Sequence, residues 1–86
     1  MTKQVSVITG GHGGMGKAIA RELGKSSLLV LAARNEKKLL ETQAELEEYG
    51  CEIRIFPLDI RDESKVKELA DFAASLGNVV NVIHTS

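Results

Sequence analysis

Near its amino terminus the chain carries Thr9-Gly10-Gly11-His12-Gly13-Gly14-Met15-Gly16, set between a short apolar run and a segment of helical spacing. These residue types suit a phosphate group. A dinucleotide pyrophosphate needs backbone N–H groups aimed at it and no side chain in its path, and a helix amino terminus adds partial positive charge. Gly10 permits the tight turn out of a strand, Gly14 lets backbone approach the phosphates, and Gly16 lets the helix sit close on a sheet. Ordering five glycines within seven residues costs backbone entropy, which disfavours a turn without a ligand. Met15, between Gly14 and Gly16, belongs to the same expected contact set. His12 adds charge there when protonated, or stands as an exposed loop residue.

Eighteen positions past Gly16 the chain reads Ala32-Ala33-Arg34-Asn35 at the end of a second apolar run. The adenosine ribose is expected at this place. An acidic residue would bond a ribose 2′-hydroxyl, whereas an arginine offers a charge-assisted, often bidentate site for a 2′-phosphate. Arg34 therefore points to NADP(H) ahead of NAD. The alternative is a surface arginine at a helix start, where the helix dipole slightly disfavours it.

The elements that position these residues follow from patterning. Val5, Val7 and Ile8 make a first strand, Leu28 to Ala33 a second buried on both faces, and Ile53, Ile55 and Phe56 a third ended by Pro57. A fourth runs from Val79 to Ile83, its apolar pattern interrupted by Asn81. Between them lie three helices. The first has Met15, Ala18, Ile19 and Leu23 on one face and ends at Gly24 as a left-handed residue. Leu39, Leu40, Ala44, Leu46 and Tyr49 form the stripe of the second, capped by Asn35 and followed by Gly50. The third starts at Asp62 or Ser64 and buries Val66, Leu69, Ala70, Ala73 and Leu76 before Gly77. Strands alternating with helices give an α/β fold with a parallel sheet, and right-handed crossovers give the doubly wound order 3-2-1-4. Ligands bind where such an order reverses.

The glycine pattern T-G-x-x-x-G-x-G, formed here by Thr9, Gly10, Gly14 and Gly16, resembles that of the short-chain dehydrogenase/reductase family. The resemblance covers essentially the whole chain and implies a partial Rossmann fold, the amino-terminal cofactor-binding segment of a longer domain. It implies that Ala33 stands where NAD-preferring relatives carry an acid. Some NADP-using relatives carry a basic residue just before the middle glycine, a position held here by Gly13. Leu58-Asp59-Ile60 is similar to the family's Asp-hydrophobe pair, so Asp59 would accept from the adenine amine while Ile60 covers the ring edge. Val82-Ile83-His84-Thr85-Ser86 stands where relatives commonly have Asn-Asn-Ala-Gly. His84 and Thr85 then replace the two Asn beside the cofactor's ribose and nicotinamide. The family's reaction is hydride transfer between NAD(P)(H) and an alcohol or carbonyl, with a catalytic Tyr, Lys and Ser. No Y-x-x-x-K occurs in this chain, whose one tyrosine, Tyr49, is followed four positions later by Ile53. The resemblance thus implies an oxidoreductase parent for which these residues bind and do not catalyse. A non-catalytic dinucleotide-binding or regulatory module uses the same motifs.

Composition sets the outer bounds. Eighty-six residues allow one domain spanning 1–86, with 43% hydrophobic and 27% charged residues excluding a disordered chain. A net charge of -1 offers no footprint for nucleic acid or an anionic membrane. Cys51 is alone, which removes an internal disulfide and leaves a reducing, cytoplasmic setting as the expectation, with Cys51 in the core. The amino-terminal apolar run is too short for a signal peptide or a membrane span. No G-x-S-x-G, H-E-x-x-H or phosphate-loop motif with its Lys is present, and no Cys/His spacing suggests zinc. A sheet ending at its fourth strand leaves an apolar edge, so either a truncated larger domain or association into a homo-oligomer is expected. The small-molecule partner is a carbonyl or alcohol acted on by the full-length protein.

Overall fold

Leu28–Ala33 holds no polar side chain, and in the structure its residues supply the centre of the molecule. Leu28, Val30 and Ala32 enter one apolar cluster and Leu29 and Leu31 another on the opposite face. A strand buried on both faces needs such an unbroken run, since alternation would put polar groups into one of the two cores. The computed structural model describes residues 3–10, 14–59 and 61–84. The elements are β1 (Gln4–Thr9), α1 (Gly14–Leu23), β2 (Leu28–Ala33), α2 (Glu36–Glu47), β3 (Ile53–Pro57), α3 (Glu63–Leu76) and β4 (Asn78–His84). All pairings are parallel and the order is β3-β2-β1-β4, the expected doubly wound arrangement.

Leu69 and Ala73 of α3 pack on one face of the sheet with Val5, Val7, Val30 and Leu58. Ala20 of α1 and Leu39 and Leu46 of α2 pack on the other with Ile8, Leu29, Leu31 and Ile53. Fully burying one such side chain is worth roughly 1.5–3 kcal/mol, so these two layers dominate the favourable side of folding. Cys51 lies in the second layer, as expected of a small core residue.

The strand β4 continues through Asn81 without a break. Asn81 is accommodated because its Nδ2 donates to Oγ of the buried Ser6 at 3.1 Å, each polar group satisfying the other. A bulge beside Val5/Ser6 leaves Val80 as the extra residue.

Helix faces depart from expectation at several positions. Ala18, Leu40, Ala44, Tyr49 and Ala70 are exposed, and Val66 lies at the surface with them. In α2 the interior position falls to Thr42, which a purely apolar stripe overlooks because its hydroxyl donates to the Lys38 carbonyl at 2.9 Å and needs no outside partner. Tyr49 lies beyond the helix end with the Arg21 guanidinium 4.6 Å from its ring centre. Gly24 is not left-handed; the left-handed φ values among the described residues belong to Gly10 and Gly50. Its amide continues the helix by donating to Ala20 O, and the constraint is space, since a Cβ there would lie 2.5 Å from Cys51 Sγ.

Candidate functional site

Parallel strands place all their carboxyl ends at one edge of the sheet, so Thr9, Arg34, Asp59 and His84 gather there. At the end of β1 the chain leaves the sheet through Gly10, whose φ of 72° is a left-handed conformation that a side chain disfavours. Its N–H donates to Ala32 O at 2.7 Å, tying the start of the turn to β2. The helix α1 begins at Gly14, so Gly14, Met15 and Gly16 form its first turn, as the glycine pattern requires. First-turn N–H groups have no intrahelical acceptor, and no acidic residue stands in this turn to take them. His12 lies outside the described residues, as do Ile60 and Thr85.

At the end of β2, Arg34 is exposed, and among the described residues it forms no salt bridge. Asn35 then caps α2, its Oδ1 accepting from Lys38 N at 3.1 Å. The ends of β2 and β3 are tied together by Leu58 N donating to Ala33 O at 2.9 Å, which sets Asp59 close to Arg34.

Asp59 is gripped by Arg61. Its Oδ1 accepts from the Arg61 backbone N at 2.9 Å and from Nε at 3.1 Å, while Oδ2 accepts from Nη2 at 2.9 Å. The Arg61 side-chain bonds, then its backbone N–H, and then the charges of Arg61 and Arg34 hold the Asp59 carboxyl down at about 2. The same pairing raises Arg61 above its ordinary value. The next residue, Asp62, caps α3 by accepting from Ser64 N and Lys65 N. At the neighbouring end of β4, Thr9 Oγ1 and His84 Nδ1 are 2.6 Å apart, with donor and acceptor set by the imidazole tautomer.

The edge therefore joins Gly10 and the start of α1, Arg34 and Asp59 into one surface, beside the reversal between β1 and β4. The arrangement offers backbone donors, a guanidinium without a salt bridge among the described residues and an ionised carboxylate, and so suits a ligand carrying phosphate at one end and an amine at the other. Among the described residues no group of three metal-ligating side chains occurs. Two features were missed in the sequence: the grip of Arg61 on Asp59, which the Asp-x-Arg spacing could have signalled as a local turn, and the Thr9–His84 pair, which joins residues 75 apart.

The sequence matches the family described as short chain dehydrogenase over residues 4–85. It is 37% identical over 73 residues to the diacetyl reductase [(S)-acetoin forming] of Staphylococcus epidermidis, covering 84% of this chain and 28% of that protein. The structure superposes on an actinorhodin polyketide ketoreductase variant solved with NADPH at a TM-score of 0.90 and 30% identity, covering 98% of this chain and 33% of that one. A metagenomic short-chain oxidoreductase solved in complex with NADP gives 0.83 and 31%, over 92% of this chain and 37% of that one. This chain thus spans between 28% and 37% of the length of these relatives. With the family match running from β1 to the end of β4 and the parallel 3-2-1-4 sheet superposing on solved members, the chain belongs to the short-chain dehydrogenase/reductase family.

Proposed function

We propose that this chain is the NADP(H)-binding part of an oxidoreductase that interconverts an alcohol and a carbonyl of a small-molecule substrate in the cytoplasm. The observation that carries the cofactor assignment is Arg34: an exposed guanidinium with no salt bridge among the described residues, directly after Ala33, the position at which an acid would favour NAD. In this reading Gly10 makes the turn, the amides around Gly11 to Gly16, those of Gly14, Met15 and Gly16 among them, hold the pyrophosphate, and His12 lies beside them. Arg34 holds the 2′-phosphate, Asp59 and Ile60 face the adenine, and Thr85 lies by the nicotinamide ribose. The bound dinucleotide supplies the hydride. This chain's residues bind and orient it, and no Y-x-x-x-K for proton transfer is among them. Association into a homo-oligomer covers the apolar side of β4. The net charge of -1 suits neither nucleic acid nor an anionic membrane as partner.

Backbone amide resonances followed during titration with NADPH test the site. The expected result is that shifts concentrate at Gly10, Gly14, Gly16, Arg34 and Asp59. Shifts confined to the opposite, amino-terminal edge of the sheet, around Gly24 and Gly50, would overturn it.

A further inference from the structure

An ionised carboxylate has about four in-plane acceptor sites on its two oxygens. At Asp59, three are filled by one residue: Arg61 N and Nε occupy Oδ1, and Arg61 Nη2 occupies one side of Oδ2. Among the described residues no other donor is recorded on this carboxylate, which leaves one acceptor site, on Oδ2. The carboxylate is also fixed in orientation, because a guanidinium fork and a backbone N–H converge on it from within a tight turn closed by Asp62 N donating to Asp59 O at 2.9 Å. The Arg61 side chain is 76% exposed and that of Asp59 36%, so neither is needed to fill the core. A solvent-exposed pair of this kind contributes little to stability. Its consequence is directional: Arg61 fixes the carboxylate so that the remaining Oδ2 acceptor is offered in one direction.

Resting on the proposed reading of Asp59 as the residue that faces the adenine, we propose that Arg61 is a positioning residue for purine selection. By occupying three of the four acceptor sites of Asp59, it leaves the last Oδ2 site for an exocyclic amine, and so favours adenine over hypoxanthine cofactors. Hypoxanthine presents a keto oxygen where adenine presents the amine, which sets lone pair against lone pair. A freely rotating Asp59 escapes that conflict by turning toward another donor on the ring. One held by Arg61 does not.

The test is calorimetric titration of the full chain with NADPH and with its hypoxanthine analogue, for the native protein and for Arg61→Met, Arg61→Lys and Asp59→Asn. The native chain is expected to prefer NADPH by roughly tenfold, the low end of one hydrogen bond to a charged group. Arg61→Met should retain NADPH binding while the preference collapses to about twofold, and Arg61→Lys should fall between, keeping the backbone bond and losing the fork. Asp59→Asn should abolish the preference. An undiminished preference in Arg61→Met would overturn the positioning role while leaving the cofactor site intact. Loss of NADPH affinity in Arg61→Met with the preference intact would overturn it too, because Arg61 would then act on the phosphates. Absence of NADPH binding by folded native chain would overturn the underlying site reading, and this proposal with it.

Discussion

Arg34 and Asp59 carry the two most direct residue-level consequences. With Arg34 at the end of β2 and without a salt bridge among the described residues, Arg34→Ala is expected to weaken NADPH more than NADH by about 1.5–3 kcal/mol, the worth of a charge-assisted hydrogen bond. Calorimetric affinities for both cofactors check this, and equal losses would contradict it. The Arg61 contacts hold Asp59 down at about 2, below its ordinary 3.8, so the small stabilisation from this exposed pair is present at pH above about 3.8 and is lost as pH falls toward 2. A carboxyl-detected NMR titration should place the native midpoint near 2 and move it toward 3.8 in Arg61→Met. The placement of Arg34 and Asp59 at strand ends was legible because they follow strands at fixed offsets. The grip of Arg61 on Asp59 was not, because a side-chain bond within a turn leaves no periodic signal, and the Thr9–His84 contact depends on β1 and β4 being neighbours in space.

The strands were read almost to the residue, since β-branched runs ended by Gly or Pro state both type and boundary, as at Val5 to Thr9 and Ile53 to Pro57. Helix existence was equally clear, and Asn35 caps where expected; the third helix is capped by Asp62, one of the two residues that fit, and the left-handed end expected at Gly24 is not found. Helix faces were less so. Leu40, Ala44 and Ala70 fit an apolar stripe by spacing yet lie exposed, because the sheet presents room for only a few residues per helix. For α3, Asp62→Ala removes the acceptor for both Ser64 N and Lys65 N and should cost about 1 kcal/mol, read from the midpoint of urea unfolding. An unchanged midpoint would mean that solvent caps those amides as well.

Over the whole molecule, the parallel order 3-2-1-4 was legible from the alternation of strands and helices, whereas the surface left beside β4 required coordinates. A cavity of about 540 Å³ opens between α3 and the β1–β4 pair, bounded by Val66, Ala70, Val79 and Val82, with Thr9 and His84 at one end. Val82 is 71% exposed within it, and among the described residues β4 has a strand neighbour on one side only. Apolar surface of this kind is normally covered, so the chain is expected to self-associate with rising concentration in sedimentation velocity, and Val82→Lys should shift it toward monomer. A native chain that remains monomeric throughout would contradict this. The central claim is that the strand-end surface holds a dinucleotide bearing a 2′-phosphate. Calorimetric titration of the folded chain with NADPH and NADH at equal ionic strength tests it most directly. Saturable binding with NADPH the tighter, by about tenfold or more, is the predicted result; equal affinities, or no binding of either cofactor, would contradict it.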